Sequence, residues 1–395
     1  MSTVLFVNGT AHGHINPTLP LVVELVRRGE TVYYCSTKEF AGKVEASGAR
    51  FLDCGEAFAA YLRTYRPSGN HPLYMLLEFL VSQDIAMSEA ILNVAGSIRF
   101  DYVVHDAMLG GGLIVARNLG VPAICTCSSF AAEKPPAPPA MLQRGFHPQL
   151  DGVFRKLDEL NRRSGLNLGL NELFFQREDL NIVFTSRLFQ PGGGAFDGAF
   201  RFVGPCMDSR RENEPYPEDA PVDGKLVYIS MGTINNACTP LYKNCIEALK
   251  NSNMTVVMSV GAKVDIASLG EIPENFRVYP SVPQLAVLKR AKAFVSHGGL
   301  NSVSESLNYG VPVVAIPQAN DQPAVARRLQ ELGAGILIKP KEAAPEVIRK
   351  AVETVLAESE YKSSCTKIAD SFRHSGGVEA AADTIFEYKA ALGIG

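Results

Sequence analysis

The chain has 395 residues, 46% hydrophobic and 20% charged, with a formal net charge of −3 at pH 7. That length exceeds what one hydrophobic core usually supports, so two domains are expected. The charge balance leaves no basic footprint for nucleic acid and no polybasic segment for a membrane surface.

Nothing in the chain reaches the ~18 uninterrupted apolar residues of a membrane span, and the N-terminus lacks a signal-peptide pattern. The eight cysteines include the C-x-C of Cys125 and Cys127 inside "VPAICTCSS", and Cys35 in "TVYYCS". Without a second cluster at ligand spacing they read as buried thiols, not a metal site, which points to the reducing cytoplasm.

In chain order, "TVLFV" (Thr3 to Val7) reads as a buried strand. "NPTLPLVVELVRRG" reads as a helix, with Leu19, Val22, Val23 and Val26 at i, i+3, i+4 and i+7. Asn16 is placed to cap that helix, Pro17 suits its first turn and Gly29 its end. His12 and His14 therefore fall between strand and helix, at the carboxyl edge where open α/β sheets bind ligands. The rhythm continues through "TVYYCS", the helical "KEFAGKVEASG", "ARFLD", a largely helical apolar stretch over 72–95, "DYVVHD", "GGGLIVARNLG" and "VPAICTC". This is the pattern of a doubly wound parallel sheet.

Residues 133–150 interrupt it. Four prolines among Pro135 to Pro139 exclude a regular helix or central strand and leave a loop, either a rigid connector or a pocket wall. "CMDSRRENEPYPEDAPVDGK", rich in charge and proline, reads as a linker. A second α/β rhythm follows: "KLVYISMG", a helix at 240–250, "TVVMSVG", "FRVYP", a helix at 283–290, "AFVSHGG", a helix at 301–309, "VPVVAIP", a helix after Asp321, "AGILI", helices near 343–356 and 359–373, and "GGVEAAADTIFEYKAAL". Two similar α/β domains imply a cleft between them. The expected division is 1–205, a linker at 206–224, 225–375, and a terminal helix over 376–395 packing back on the first domain.

The most informative run is Ser281 to Pro323. After "AFVSH", Gly298 and Gly299 make a tight turn into a helix, whose first N–H groups, with the side chains of Asn301 and Ser302, can hold a phosphate without a metal. Glu305, one turn further on, could accept both hydroxyls of a ribose. Asp321 and Gln322 pair a carboxylate with an amide, which suits a polyhydroxylated ligand.

"HGHINP" and "SVPQLAVL…VSHGGLNSVSESLNYGVPVVAIPQANDQ" together resemble the UDP-sugar-dependent glycosyltransferases that modify small lipophilic acceptors, most closely the bacterial macrolide-type and YjiC-like members. The resemblance covers nearly the whole chain. It implies a GT-B architecture, two Rossmann-like domains facing across a cleft, with acceptor on the first and nucleotide sugar on the second. It implies that His14 is the general base and Asp106 its aspartate partner. His297, Gly298, Gly299, Asn301 and Ser302, with Gly232 and Thr233, would cradle the diphosphate. Glu305 would hold the ribose with Gln284 beside it, and Asp321 with Gln322 would hold the sugar hydroxyls. Relatives carry a stacking tryptophan where this chain has Ser281. The uracil would then be read by the Val282 backbone, and nucleotide choice should be loose.

Acceptor contacts are expected from 72–85, from Ser128, Ser129 and Phe130, and from the proline-rich loop. His12 is the competitor to His14, and His105 should point to the opposite face of its strand from Asp106. The reaction implied is inverting and needs no metal or other cofactor, since the UDP-sugar is a co-substrate and the chain has no Asp-X-Asp motif. The partners the resemblance implies are a UDP-sugar, with glucose as the sugar, and a lipophilic hydroxyl compound such as a flavonoid, phenol or macrolide, handled by a monomer. The competing readings are a sugar-nucleotide epimerase or related enzyme of the same architecture, and a non-catalytic nucleotide-sugar-binding protein.

Overall fold

In the computed structural model all residues are described except 67, 134–142, 208–213, 219, 221–223 and 234–235. The proline-rich loop and half of the anticipated linker thus lie outside the described residues. The chain divides into two compact units, one of Met1–Phe184, Gly192–Cys206 and Gly376–Gly395, the other of Thr185–Pro191 and Met207–Ser375.

The first unit runs β1 (Thr3–Val7), α1 (His12–Ile15), α2 (Thr18–Arg27), β2 (Thr31–Ser36), α3 (Ala41–Ala46), β3 (Arg50–Asp53), α4 (Gly55–Thr64), α5 (Pro72–Ala95), β4 (Tyr102–Asp106), α6 (Gly110–Leu119), β5 (Ala123–Cys127), α7 (Leu150–Ser164), α8 (Leu170–Phe174), β6 (Leu180–Val183) and β7 (Phe200–Phe202). Its seven strands are parallel in the order β3-β2-β1-β4-β5-β6-β7. β4 and β5 are buried at every position, as strands covered by helices on both faces must be. The order reverses between β1 and β4, and that switch point places the ends of these two strands side by side, with Val7 opposite His105.

The second unit runs β8 (Lys225–Ser230), α9 (Thr239–Leu249), β9 (Met254–Ser259), β10 (Phe276–Tyr279), α10 (Gln284–Leu288), β11 (Ala293–Ser296), α11 (Leu300–Asn308), β12 (Val313–Ala315), α12 (Gln322–Glu331), β13 (Gly335–Leu337), α13 (Pro345–Ala357) and α14 (Ser359–His374). Its parallel order is β10-β9-β8-β11-β12-β13, with the switch between β8 and β11 and Ser296 opposite Ser230. Segment Thr185–Pro191 joins this unit, with the Arg328 guanidinium donating to the carbonyls of Leu188 and Phe189 at 2.8 and 3.1 Å.

The last helix, α15 (Gly377–Ala391), packs on α2 in the first unit. Ala381, Ala382 and Ile385 are fully buried there, and so is a charge pair, Lys389 Nζ to Glu30 Oε1 at 2.5 Å. Glu30 also accepts from the Tyr102 hydroxyl at 3.0 Å. The attraction and the hydrogen bond offset the desolvation cost that an isolated buried carboxylate would carry uncompensated.

Two local expectations change. Asn16 does not cap the start of α2: it closes the one-turn α1, and α2 starts after Pro17 without a side-chain cap. Thr18 takes the polar role instead, its hydroxyl bonded to the Ile15 carbonyl and within 2.8 Å of the Tyr34 hydroxyl. The apolar stretch 72–85 is largely structural. Tyr74, Leu77, Val81 and Ile85 pack on Leu150, Val153 and Leu157 of α7, while Leu73 and Leu76 stay exposed.

Candidate active site

At the switch point of the first sheet, His14 follows β1 and Asp106 ends β4. The backbone turn between β1 and α1 brings Gly9 so near the imidazole that a Cβ there would lie 3.1 Å from His14 Cγ. His14 Nδ1 lies 2.7 Å from Asp106 Oδ2. The carboxylate is fully buried, whereas the His14 side chain is 27% exposed. Asp106 Oδ1 accepts the Met108 N–H at 2.7 Å, and Oδ2 accepts the Ser128 hydroxyl at 2.9 Å.

Burial alone would push the Asp106 carboxyl up. The charge and hydrogen bond of His14, then the bonds from Met108 and Ser128, outweigh burial and hold it below the usual carboxylate value. An ionised carboxylate against Nδ1 keeps the neutral ring's proton on that nitrogen and leaves the lone pair on Nε2. The pair can therefore take up a proton at Nε2 and stabilise the resulting imidazolium.

Ser128, anticipated as an acceptor contact, sits on this pair, its Oγ 2.9 Å from His14 Nδ1 as well. Ser129 and Phe130 beside it are partly buried. His12 lies apart: its ring meets Phe40 edge-on with centroids 4.9 Å apart, and its Nδ1 is 3.9 Å from Glu39. His105 is fully buried, with Nε2 3.2 Å from Glu178. Met108 is a contributor that the sequence pattern did not single out. Its backbone fixes Asp106, and its side chain is 59% exposed.

At the switch point of the second sheet, β11 ends at Ser296, and His297, Gly298 and Gly299 lead into α11. Gly298 has a φ of +82°, and no side chain caps the first turn of α11. The His297 imidazole is wedged between two glycines. A Cβ on Gly232 would lie 2.7 Å from its Nε2, and one on Gly299 2.5 Å. Gly232 also has a φ of +80°, so no other residue suits it. Burial drives the His297 pKa down to about 4, against the opposing field of Asp321 and a hydrogen bond to the Ser230 carbonyl.

Gln284 Nε2 donates to Glu305 Oε2 at 2.5 Å and to Ser302 Oγ at 3.3 Å. Gln284 Oε1 accepts from the hydroxyl of Tyr228 at 3.2 Å. Tyr228 is a buried β8 residue stacked on Phe294. The sequence pattern did not single it out, because a tyrosine in "KLVYIS" looks like any strand residue. Ser281 is exposed, Val282 partly buried, and Thr233 exposed.

Asp321 starts α12 after Asn320, which turns the chain at a φ of +57°. Gln322 follows as the first residue of α12. Its Oε1 accepts the N–H groups of Gln318 and Ala319 at 2.7 and 3.0 Å, because the tight loop leaves those donors otherwise unmet. Only its NH2 remains to meet a ligand.

Residues 243–376 match the family described as Erythromycin biosynthesis protein CIII-like, C-terminal domain. Over the whole length, the uncharacterized UDP-glucosyltransferase YdhE of Bacillus subtilis (strain 168) is 33% identical across 397 residues, covering 98% of each chain. The chain belongs to the UDP-sugar-dependent glycosyltransferases of GT-B fold. The NDP-glycosyltransferase YjiC of the same organism is 34% identical, covering 97% of this chain and 96% of that one. The crystal structure of CalG4, the calicheamicin glycosyltransferase, is 30% identical with a TM-score of 0.84, over 99% of this chain and 98% of that one. Among the described residues of this glycosyltransferase, no three His, Cys, Asp or Glu side chains group as a metal site requires. Among the same residues, no helix is long and apolar enough to cross a membrane.

Proposed function

We propose that the protein moves a sugar, glucose in the first instance, from a UDP-sugar to a hydroxyl of a lipophilic small molecule such as a flavonoid, phenol or macrolide. The observation that carries this reading is the fully buried Asp106 carboxylate 2.7 Å from Nδ1 of the part-exposed His14. In the proposed reaction His14 Nε2 takes the acceptor's proton as its oxygen attacks the anomeric carbon. The bond from that carbon to the diphosphate breaks, and its electron pair leaves on UDP. Attack from the opposite face inverts the centre, so an α-linked donor yields a β-glycoside.

In this reading residues 1–205 serve the acceptor and 225–375 the donor. Diphosphate lies on the first turn of α11 with Gly232, Thr233, Gly298, Gly299, Asn301 and Ser302, where N–H groups and the helix dipole favour an anion without a metal ion. Glu305, steadied by Gln284, takes the ribose, and Asp321 with the Gln322 amide takes the sugar. A monomer carries every group the reaction needs. Support for a UDP-sugar comes from the relatives' names, one a UDP-glucosyltransferase and another an NDP-glycosyltransferase.

The test is mass spectrometry of products from UDP-glucose or TDP-glucose against a panel of phenolic and macrolide acceptors, with and without excess EDTA. Glycosides should form in EDTA, and TDP-glucose should serve with a modest penalty because Ser281 offers no stacking face. Loss of turnover in EDTA that magnesium restores would refute the metal-free site. A UDP preference above ~1000-fold would refute the loose base site, since it needs ~4 kcal/mol of discrimination.

A further inference from the structure

His14 sits on α1, a helix of four residues. A helix that short does not hold itself together in water, so its place depends on what its ends are tied to. No side chain caps its start at Ala11. The loop that carries it begins with Asn8 after β1 and ends with Thr18 at the start of α2. Both of those side chains, and that of Tyr34 in β2, are fully buried polar groups with no part in the proposed reaction.

The three meet one another. Asn8 Nδ2 donates to Thr18 Oγ1 and to the Tyr34 hydroxyl, each at 2.8 Å. Thr18 Oγ1 donates to the Ile15 carbonyl at 2.9 Å and lies 2.8 Å from the Tyr34 hydroxyl. The count of hydrogens fixes the direction of every bond. A carbonyl only accepts, so the one Thr18 hydrogen goes to Ile15, and the Tyr34 hydroxyl must donate to Thr18. Burial pushes the Tyr34 pKa up, which keeps that hydrogen in place. The two amide hydrogens of Asn8 supply the remaining bonds. Turned over, the amide would set its oxygen against Thr18 Oγ1 with no hydrogen between them.

The cluster ties both ends of the loop together. Asn8 precedes Gly9, where a Cβ would lie 3.1 Å from His14 Cγ, and the Ile15 carbonyl belongs to the residue after His14. Tyr34 anchors both ends to β2. Asp106 holds only the Nδ1 edge of the ring, so the direction of Nε2 depends also on the backbone of α1. A reacting group displaced by ~1 Å can lose ~10²-fold in rate.

We propose that Asn8, Thr18 and Tyr34 are positioning residues for His14: their buried cluster closes the loop between β1 and α2 and so aims Nε2 at the acceptor hydroxyl. This rests on the reading of His14 as the base.

The experiment starts from Thr18→Val, which removes the hydroxyl at nearly constant volume. UDP release is followed with UDP-glucose and the acceptor that reacts fastest in the product panel. The expected result is a kcat lower by ~10–100-fold. KM for UDP-glucose should stay within about twofold, because the proposed donor residues belong to the second unit. Thr18→Ser keeps the hydroxyl and should restore kcat. In a His14→Ala background Thr18→Val should cost nothing further, because the group it aims is gone. A nitrophenol, largely ionised at pH ~8 where an ordinary phenol with a pKa of ~10 is not, asks the same question without that background. The Thr18→Val penalty should shrink with it, since an ionised acceptor needs no base. If Thr18→Val does not fold, Tyr34→Phe removes one bond while its ring stays stacked on Phe6 at 5.6 Å, and should show the same pattern at smaller size. Unchanged kcat in the folded variants, an equal loss in the His14→Ala background or with the nitrophenol, or no rescue by serine overturns the inference. His14→Ala as active as wild type overturns the base reading itself.

Discussion

Replacing Asp106 by asparagine keeps the volume, removes the charge and turns one acceptor into a donor. The Met108 N–H 2.7 Å from Oδ1 dictates which way the amide sits, since an NH2 placed there would set donor against donor. The NH2 then faces His14 Nδ1, which must accept. The ring's proton is driven to Nε2, the nitrogen that the proposed mechanism needs empty. The imidazolium formed in the reaction also loses its counter-charge. Two unit charges at the 2.7 Å of this pair attract by about 6 kcal/mol at an effective dielectric of ~20, a ceiling on the loss. If roughly half to two-thirds survives solvent screening, ~3–4 kcal/mol is lost and kcat/KM should fall by about 10²–10³. The assay is UDP release with a phenolic acceptor, with UDP calorimetry as the control on the second unit.

The variant should also change acid stability. Ionised Asp106, held below the usual carboxylate value, favours the folded state above the unfolded pKa of about 4, and this contribution fades as pH falls through the lower folded value. The amide lacks that fade, so its stability should vary less over the same acid range. Turnover within about tenfold of wild type, with an unchanged pH profile, would refute the tautomer argument.

His14→Ala should lower turnover by ~100-fold or more with UDP affinity within a few-fold, and His12→Ala, against Phe40, should be milder. Near wild-type turnover of His14→Ala at neutral pH would sink the base assignment. Gly299→Ala puts a Cβ 2.5 Å from His297 Nε2 at a φ of −66° that any residue tolerates. It should weaken UDP-glucose binding by about tenfold through overpacking alone, and equal Kd values would show that the ring has room to move. Lys389→Ala leaves Glu30 buried without its cation and should cost ~3–5 kcal/mol in denaturant unfolding, while Lys389→Met with Glu30→Gln should recover most of it. A single variant as stable as wild type would mean that Glu30 finds water. Ser281→Trp should tighten UDP by up to ~1–3 kcal/mol if the pocket has room for an indole, read as the UDP to TDP ratio of kcat/KM.

The strands and helices flanking both sites were legible in the sequence because each is a short apolar run or a helical period closed by glycine or proline. His14 stood out as a histidine at a strand end, and Gly298–Gly299 as a turn into a helix. Local signals of this kind depend on residues a few positions apart, and hydrophobic periodicity records them directly. Other parts left no such mark. α7 carries a helical period at Leu150, Val153, Leu157 and Leu160, but nothing in it says that this face packs on α5. Asn16 looked like a cap, but capping depends on backbone angles that α1 alters.

What the sequence determined by itself is the alternation of strand and helix, the reversal points that glycines permit, and the family to which the motif belongs. Tertiary structure decided which strand ends become neighbours. His14 and Asp106 are 92 positions apart, and only the order β2-β1-β4-β5 sets them 2.7 Å from each other. The same ordering brought Ser128 onto the pair, Tyr228 beneath Gln284, and Gly232 against His297. It also set Gln322 Oε1 to brace the loop before α12. The physical reason is that hydrogen bonds and charge interactions act over a few ångströms in space, while a sequence records separation along the chain, and strand pairing converts one into the other.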